Sequence, residues 1–168
     1  GDDHIEAVLV KLLVQQHAQL VVVQAGITDA IIEKLQPYVS DADVLRHATN
    51  FDHPDDLHTT LQFERDMPLR ELAQKAAEQY LHAYQTAASI VIVGLPDVSE
   101  AADATEATAI AICTRTETKS RVYGFGGGTD MARDWVGRWA MANIWRMLQP
   151  TSASTTTTPN DLNDLNNT

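Results

Sequence analysis

Two uninterrupted β-branched runs constrain the fold of this 168-residue chain more than any other feature. Ser89-Ile90-Val91-Ile92-Val93-Gly94-Leu95-Pro96 shows no alternation of apolar and polar residues, the pattern of a central strand buried on both faces. Leu20-Val21-Val22-Val23 has the same character and runs into Gln24-Ala25-Gly26, a tight turn at the end of a strand. Strands covered on both sides need a layer of helix on each face, so the expected class is α/β.

The helical layers are legible between these runs. Asp3 followed by Glu6 is a capping-box signal, and Ile5, Val8, Leu9, Leu12 and Leu13 repeat at helical spacing, predicting a helix over residues 3–16. Thr28 is placed to cap a short helix through Ile31, Ile32 and Leu35. Residues 43–47 read as a strand and residues 50–56 as a loop. Pro68 opens a helix with Leu69, Leu72, Ala73, Ala76, Tyr80 and Ala83 on one face. Residues 97–108 form an acidic surface loop, and residues 108–116 and 120–125 pair as a hairpin across Glu117-Thr118-Lys119. A last helix over residues 129–148 carries Trp135, Val136, Trp139, Ile144, Trp145 and Met147, more apolar area than one core-facing stripe requires. The expected architecture is a three-layer α/β/α sandwich around a mixed, mostly parallel sheet of about five strands. Residues 1–149 form the domain. Residues 150–168, Thr-, Ser- and Asn-rich, form a polar tail with too little apolar area to offset its ordering entropy.

Twelve basic against 23 acidic residues give a formal charge of −11, which repels phosphate backbones and anionic membrane surfaces, so neither nucleic acid nor membrane is an expected partner. The lone Cys113 lies in an apolar run and reads as a buried thiol. The longest apolar runs fall far short of a membrane span, and no basic segment precedes a cleavable stretch, which points to a cytoplasmic protein. A start at Gly1 without methionine is expected of a fragment or of a product cleaved from a tag.

The order of elements resembles the C-terminal domain of the CinA family, the competence/damage-inducible proteins and nicotinamide-nucleotide amidohydrolases. Three stretches carry the likeness: the opening residues 1–9 with the helix, Val-rich strand and turn that follow; residues 80–97, a long helix before an apolar strand ending in Gly94-Leu95-Pro96-Asp97; and Tyr123-Gly124-Phe125-Gly126-Gly127 leading into Arg133 and Trp139. It spans residues 1–149 and rests on element order and glycine placement. It implies the three-layer sandwich and a family activity of deamidating nicotinamide mononucleotide. In the family the first turn reads Glu-Ser-Cys-Thr-Gly-Gly, with the serine as nucleophile. Here the matching residues are Gln24-Ala25-Gly26-Ile27-Thr28-Asp29. The methyl group of Ala25 has no lone pair with which to attack an amide. The family also places a lysine after the second helix, yet no lysine occurs between Lys34 and Lys75. No catalytic residue is therefore assigned.

The expected function is a CinA-like domain that has lost catalysis and serves as a ligand-binding or assembly module. The alternative is an active amidohydrolase on nicotinamide mononucleotide or a related nucleotide, with a non-family nucleophile, Thr28 or a bound water, and the Asp/His loop as base. The glycine-rich turn Gly124-Phe125-Gly126-Gly127-Gly128-Thr129-Asp130 is either an anion site at a helix start, with Arg133 supplying charge, or a plain strand-to-helix turn capped by Thr129 or Asp130. The candidate ligand-binding residues are Gln24, Ala25, Gly26, Thr28, Gly126, Gly127, Gly128, Thr129 and Arg133. His53 and His58 with Asp52, Asp55 and Asp56 match no strict metal-ligand spacing, so neither a metal nor a cofactor is expected. The expected partners are a nucleotide-like small molecule and either a second copy of the chain or an N-terminal domain on which this one docks.

Overall fold

The computed structural model describes residues 4–40, 42–95, 107–126 and 130–150. The chain runs α1 (Ile5–Gln15), β1 (Leu20–Ala25), α2 (Ile32–Val39), β2 (Leu45–Phe51), α3 (Pro54–Leu61), α4 (Leu69–Tyr84), β3 (Ala88–Gly94), β4 (Thr108–Thr114), β5 (Thr118–Tyr123) and α5 (Asp130–Leu148). The five strands form one sheet in the order β2-β1-β3-β4-β5. β1 pairs parallel with β2 and with β3, whereas β3–β4 and β4–β5 are antiparallel. Four strands therefore point the same way and β4 alone is reversed, which is the mixed α/β sheet that the sequence predicts.

Every residue of β1, β3 and β4 is buried, as the absence of alternation requires. The two faces differ in bulk. Leu20, Val22, Ile90, Ile92, Ile110 and Ile112 point to one side, where α1, α2 and α5 contribute Leu9, Leu13, Leu35, Val136, Met141 and Ile144. On the other side Ala109 and Ala111 meet Ala73, Ala76 and Ala77 of α4. Small residues on both partners let α4 approach the sheet closely, and the Ser89 hydroxyl donates to the Ala77 carbonyl at 2.6 Å across that contact. On the bulky face Gly137 serves the same end: a Cβ there would lie 2.1 Å from the Ala30 carbonyl oxygen. Only glycine lets α5 rest on the β1–α2 connection.

Local boundaries depart from the sequence reading where tertiary contacts decide them. α1 starts after His4, which makes no side-chain cap; Asp3 lies outside the described residues. The strand expected over residues 43–47 is β2, shifted to Leu45–Phe51 because it pairs along the full length of β1. Part of the stretch read as a loop is the helix α3. There His53 Nδ1 accepts from the Asp55 amide at 3.1 Å, and Asp56 Oδ2 accepts from the His53 amide at 3.2 Å, with Pro54 in the first turn. The β4–β5 turn falls earlier than expected, closed by the Thr114 amide on the Glu117 carbonyl at 2.9 Å. On α5, Val136, Met141 and Ile144 are buried, and Trp139, Trp145 and Met147 pack partly buried against the core. The surplus apolar area seen in the sequence thus reduces to Trp135, 49% exposed. The acidic loop over residues 97–108 falls largely outside the described residues, and the tail over residues 150–168 does so apart from Pro150. Among the described residues no helix is long and apolar enough to cross a membrane.

On edge strand β2, His47 stacks on Tyr84 with ring centroids 4.4 Å apart, and its Nε2 lies 2.7 Å from the Thr49 hydroxyl. Burial, and then the charge of neighbouring Arg46, lower its pKa below the ordinary 6.5. A base whose folded pKa is depressed contributes stability that is present above its unfolded pKa and lost as pH falls through the folded one. Urea denaturation of the protein is therefore expected to show stability declining as pH drops below about 6.5. His47→Phe, which keeps the stack, is expected to flatten that decline.

Candidate functional site

The carboxyl ends of β1, β2, β3 and β5 gather at one end of the sheet, the end at which open α/β proteins bind ligands. The turn after β1 occupies the middle of that end. Gly26 adopts φ +77°, and its amide donates to the Phe51 carbonyl at 2.9 Å. A Cβ on Gly26 would stand 1.9 Å from the Gly94 carbonyl oxygen and 3.0 Å from Pro54 Cδ. The turn is thus pressed against the end of β3 and the start of α3, with no space for a side chain at residue 26.

Ala25 has no exposed surface and packs with Val23, Val93 and Leu57 on the α3/α4 side of the sheet. Gln24 is equally buried, and its amide is saturated within the protein. Its Oε1 accepts from the Ile31 and Ile32 amides at 2.8 and 2.9 Å. Its Nε2 donates to Asn50 Oδ1 at 2.7 Å and approaches Glu33 Oε1 at 3.4 Å. Asn50 Nδ2 donates to Glu33 Oε2 at 3.0 Å, and Glu33 Oε1 also receives the Asp29 amide at 2.9 Å. This network does the work expected of Thr28. The residue at the α2 N-cap position is Ile31, which has no side-chain cap, and the orphan amides of the first turn go to Gln24 instead. Thr28 is exposed. The expectation of a Thr28 cap is corrected because β1 delivers a longer, fully buried acceptor to the same amides.

The second candidate turn lies at the same end, three strand steps away, or about 14 Å across the sheet at ~4.8 Å per step. Gly126 is buried, and Gly127, Gly128 and Thr129 lie outside the described residues. The turn is tied down by the Thr108 hydroxyl donating to the Phe125 carbonyl at 2.6 Å and the Ala107 amide donating to the Tyr123 carbonyl at 2.8 Å. Arg133 forms an ion pair with Asp130 one turn earlier. α5 then reaches the β1–α2 connection, where Lys34 pairs with Asp134 and Gly137 meets Ala30. The Lys34 ammonium, by hydrogen bond and by charge, holds the Asp134 carboxyl below its ordinary pKa. The structure thus links the two turns through α5.

The open grooves lie elsewhere. One of about 1120 Å³ sits at the amino ends of the strands, bordered by Val14, His17, Tyr38, Asp43, Gln85 and Arg115. A smaller one of about 330 Å³ adjoins the β4–β5 turn. Cys113, on its rim, is buried, and desolvation first and then Glu78 raise its thiol pKa, against the lowering effect of the Thr118 hydrogen bond. In the Asp/His segment, His53 and Asp56 cap α3 while Asp55 lies 3.4 Å from Arg65 and 3.7 Å from His53. His58 is buried with Nδ1 3.1 Å from the Pro54 carbonyl. Among the described residues no group of three His, Cys, Asp or Glu side chains is placed to hold a metal.

A three-layer α/β/α domain with this strand order, glycines at three strand ends and a buried alanine at the end of β1 is the class the geometry defines. Its fold is that of the CinA superfamily, as solved structures show. The competence or damage-inducible protein from Enterobacter asburiae superposes with TM-score 0.72 at 15% identity, over 86% of this chain and 96% of that one. The competence-damaged protein (CinA) superfamily protein from Enterobacter cloacae gives 0.71 at 17% identity, over 89% and 96%. Competence/damage inducible protein CihA from Agrobacterium tumefaciens gives 0.67 at 12% identity, over 88% and 98%. No protein-family model and no curated protein matches the sequence.

Two substitutions test this account of the β1 turn. Gly26→Ala forces a side chain into left-handed backbone and against the Gly94 carbonyl, and is expected to destabilise the protein by more than about 2 kcal/mol. Gln24→Leu strands two buried amides and the Asn50 carbonyl, with an expected cost of about 2 kcal/mol or more. Urea titrations read both.

Proposed function

We propose that this domain is a CinA-like module that has lost amide hydrolysis and binds a nucleotide-like small molecule at the carboxyl end of its sheet. The observation that carries the reading is Ala25: where the resembling family places a nucleophilic serine, this chain has a methyl group with no exposed surface. A nucleophile must reach the amide carbon and have a base within hydrogen-bond distance. Gln24 beside it carries a neutral carboxamide, which is no base for such a proton transfer, and it is engaged in holding α2. Lys34, the lysine nearest the turn in sequence, is paired with Asp134 on α5. Losing one member of a catalytic unit typically removes about 10⁴-fold or more of the rate, and here both the nucleophile and its activator are replaced.

The ligand-binding half of the reading is supported by the gathering of four strand carboxyl ends at one end of the sheet and by the reach of α5 to the β1–α2 region. The acidic charge and the single buried thiol favour a cytoplasmic setting. The same framework can serve assembly with a second copy or with an N-terminal domain, for which Trp135 offers exposed apolar area.

The direct test is ammonia release from nicotinamide mononucleotide by the purified protein. None is expected above the uncatalysed background, and none is expected from Ala25→Ser, whose hydroxyl would sit in the α3/α4 core without a lysine partner. Turnover that disappears in Thr28→Val would overturn the reading in favour of a hydrolase using the exposed Thr28 hydroxyl.

A further inference from the structure

The larger groove lies at the end of the sheet opposite the candidate site, and its border is made of helix ends and turns. α1 and α4 both stop there, each beside a residue in left-handed backbone that is not glycine: His17 at φ +53° and Gln85 at φ +53°. Glycine is the usual residue at such a helix end, because a Cβ is strained there. Both positions therefore keep a side chain at the rim against the local preference. Val14, 48% exposed, and Tyr38, 36% exposed, border the same groove. They are two of the three large apolar side chains that the described residues leave exposed, and the third, Trp135, lies beside Tyr123. Arg115, from the β4–β5 turn, is exposed at the groove, and its side chain has no partner among the described residues. The carboxylate that borders the groove, Asp43, already receives the Gln19 side-chain amide at 3.1 Å. At about 1120 Å³ the groove exceeds the roughly 300–1,000 Å³ of a small-molecule pocket and suits a segment of chain.

The chain delivers such a segment to this place. α5 ends at Leu148, whose carbonyl accepts from Gln16 Nε2 at 2.7 Å, and Gln16 borders the groove. The chain thus leaves the described fold at Pro150, beside the groove wall. Residues 151–168, outside the described residues, hold Leu162 and Leu165 as their only large apolar side chains, each preceded by an aspartate in Asp161-Leu162-Asn163-Asp164-Leu165. We propose that residues 161–165 dock into this groove of their own chain, with the two leucines on Val14 and Tyr38 and an aspartate carboxylate on Arg115. A spacing of three sets both leucines on one side of a helical turn and both carboxylates on the adjoining side. The stretch from Pro150 to Leu162 extends to about 40 Å at ~3.3 Å per residue, ample for a groove that begins at Gln16. The tail has too little apolar area to fold alone, but the groove supplies the opposing surface ready formed, and the tether makes docking an intramolecular step. A second copy is disfavoured as the occupant, since a symmetric dimer would set one concave face against another.

Nuclear magnetic resonance of the isotopically labelled full chain tests this. Overhauser contacts between the Leu162 and Leu165 methyl groups and the Tyr38 ring are expected, unchanged on dilution of the protein. The double variant Leu162→Ser/Leu165→Ser is expected to lose those contacts and to shift the amide resonances of Val14, His17, Tyr38 and Gln85, with the rest of the spectrum in place. A synthetic peptide of residues 159–168 is expected to bind the vacated groove of that variant and to bind the unsubstituted chain at least about tenfold more weakly, because the tethered segment competes. Adding Arg115→Glu, at an exposed position, is expected to weaken peptide binding about tenfold or more. Unshifted groove amides in the serine variant, or leucine contacts with Trp135 in place of Tyr38, overturn the proposal. So does peptide binding that ignores Arg115→Glu. Leucine contacts that vanish on dilution overturn docking within one chain and place the tail of a second copy in the groove.

Discussion

Burial of the three middle strands on both faces is the constraint from which the rest of the molecule follows. With no exposed face, β1, β3 and β4 must place every amide and carbonyl in a ladder and every side chain against a helix. The sheet then needs two helical layers, and the residues at each strand position set how near each layer comes. Isoleucines hold α5 away from β3 and β4, whereas alanines let α4 lie close. Glycines appear where backbone meets backbone, Gly26 on Gly94 and Gly137 on Ala30, and both contacts lie where the chain leaves or crosses the sheet.

That constraint also decides what was legible in the sequence. Continuous β-branched runs read as buried strands without further information, and α4 and α5 show their periodicity over four or more turns. α3 does not. It is eight residues long, its cap is a histidine, and its first turn holds Pro54, Asp55 and Asp56, which locally resemble a loop. The cap of α2 was misread for a different reason. Thr28 satisfies the local rule, but the acceptor that the first-turn amides use is Gln24, brought to them by the strand. An amide side chain at the end of an otherwise apolar strand was the available signal: a buried glutamine requires partners.

The candidate site divides along the same line. Glycine placement and the alanine at the end of β1 could be read from the chain, because each depends on what a residue lacks. The Gln24–Asn50–Glu33 network could not, since it joins β1, β2 and α2 through contacts that exist only in the folded sheet.

The strand order has a consequence for how the chain acquires its structure. β3, β4 and β5 are neighbours both in sequence and in the sheet, joined to α5 by a short turn, so they close small loops. β1 must wait for β3, its partner 68 residues further on, with Leu20 opposite Ala88. Loop-closure entropy favours the C-terminal half as the first region to order, with the N-terminal β1-α2-β2 unit docking onto a pre-existing β3 edge. Hydrogen exchange should then find the slowest amides in β3 and β4 and faster ones in β2, the outer strand of the unit that docks last.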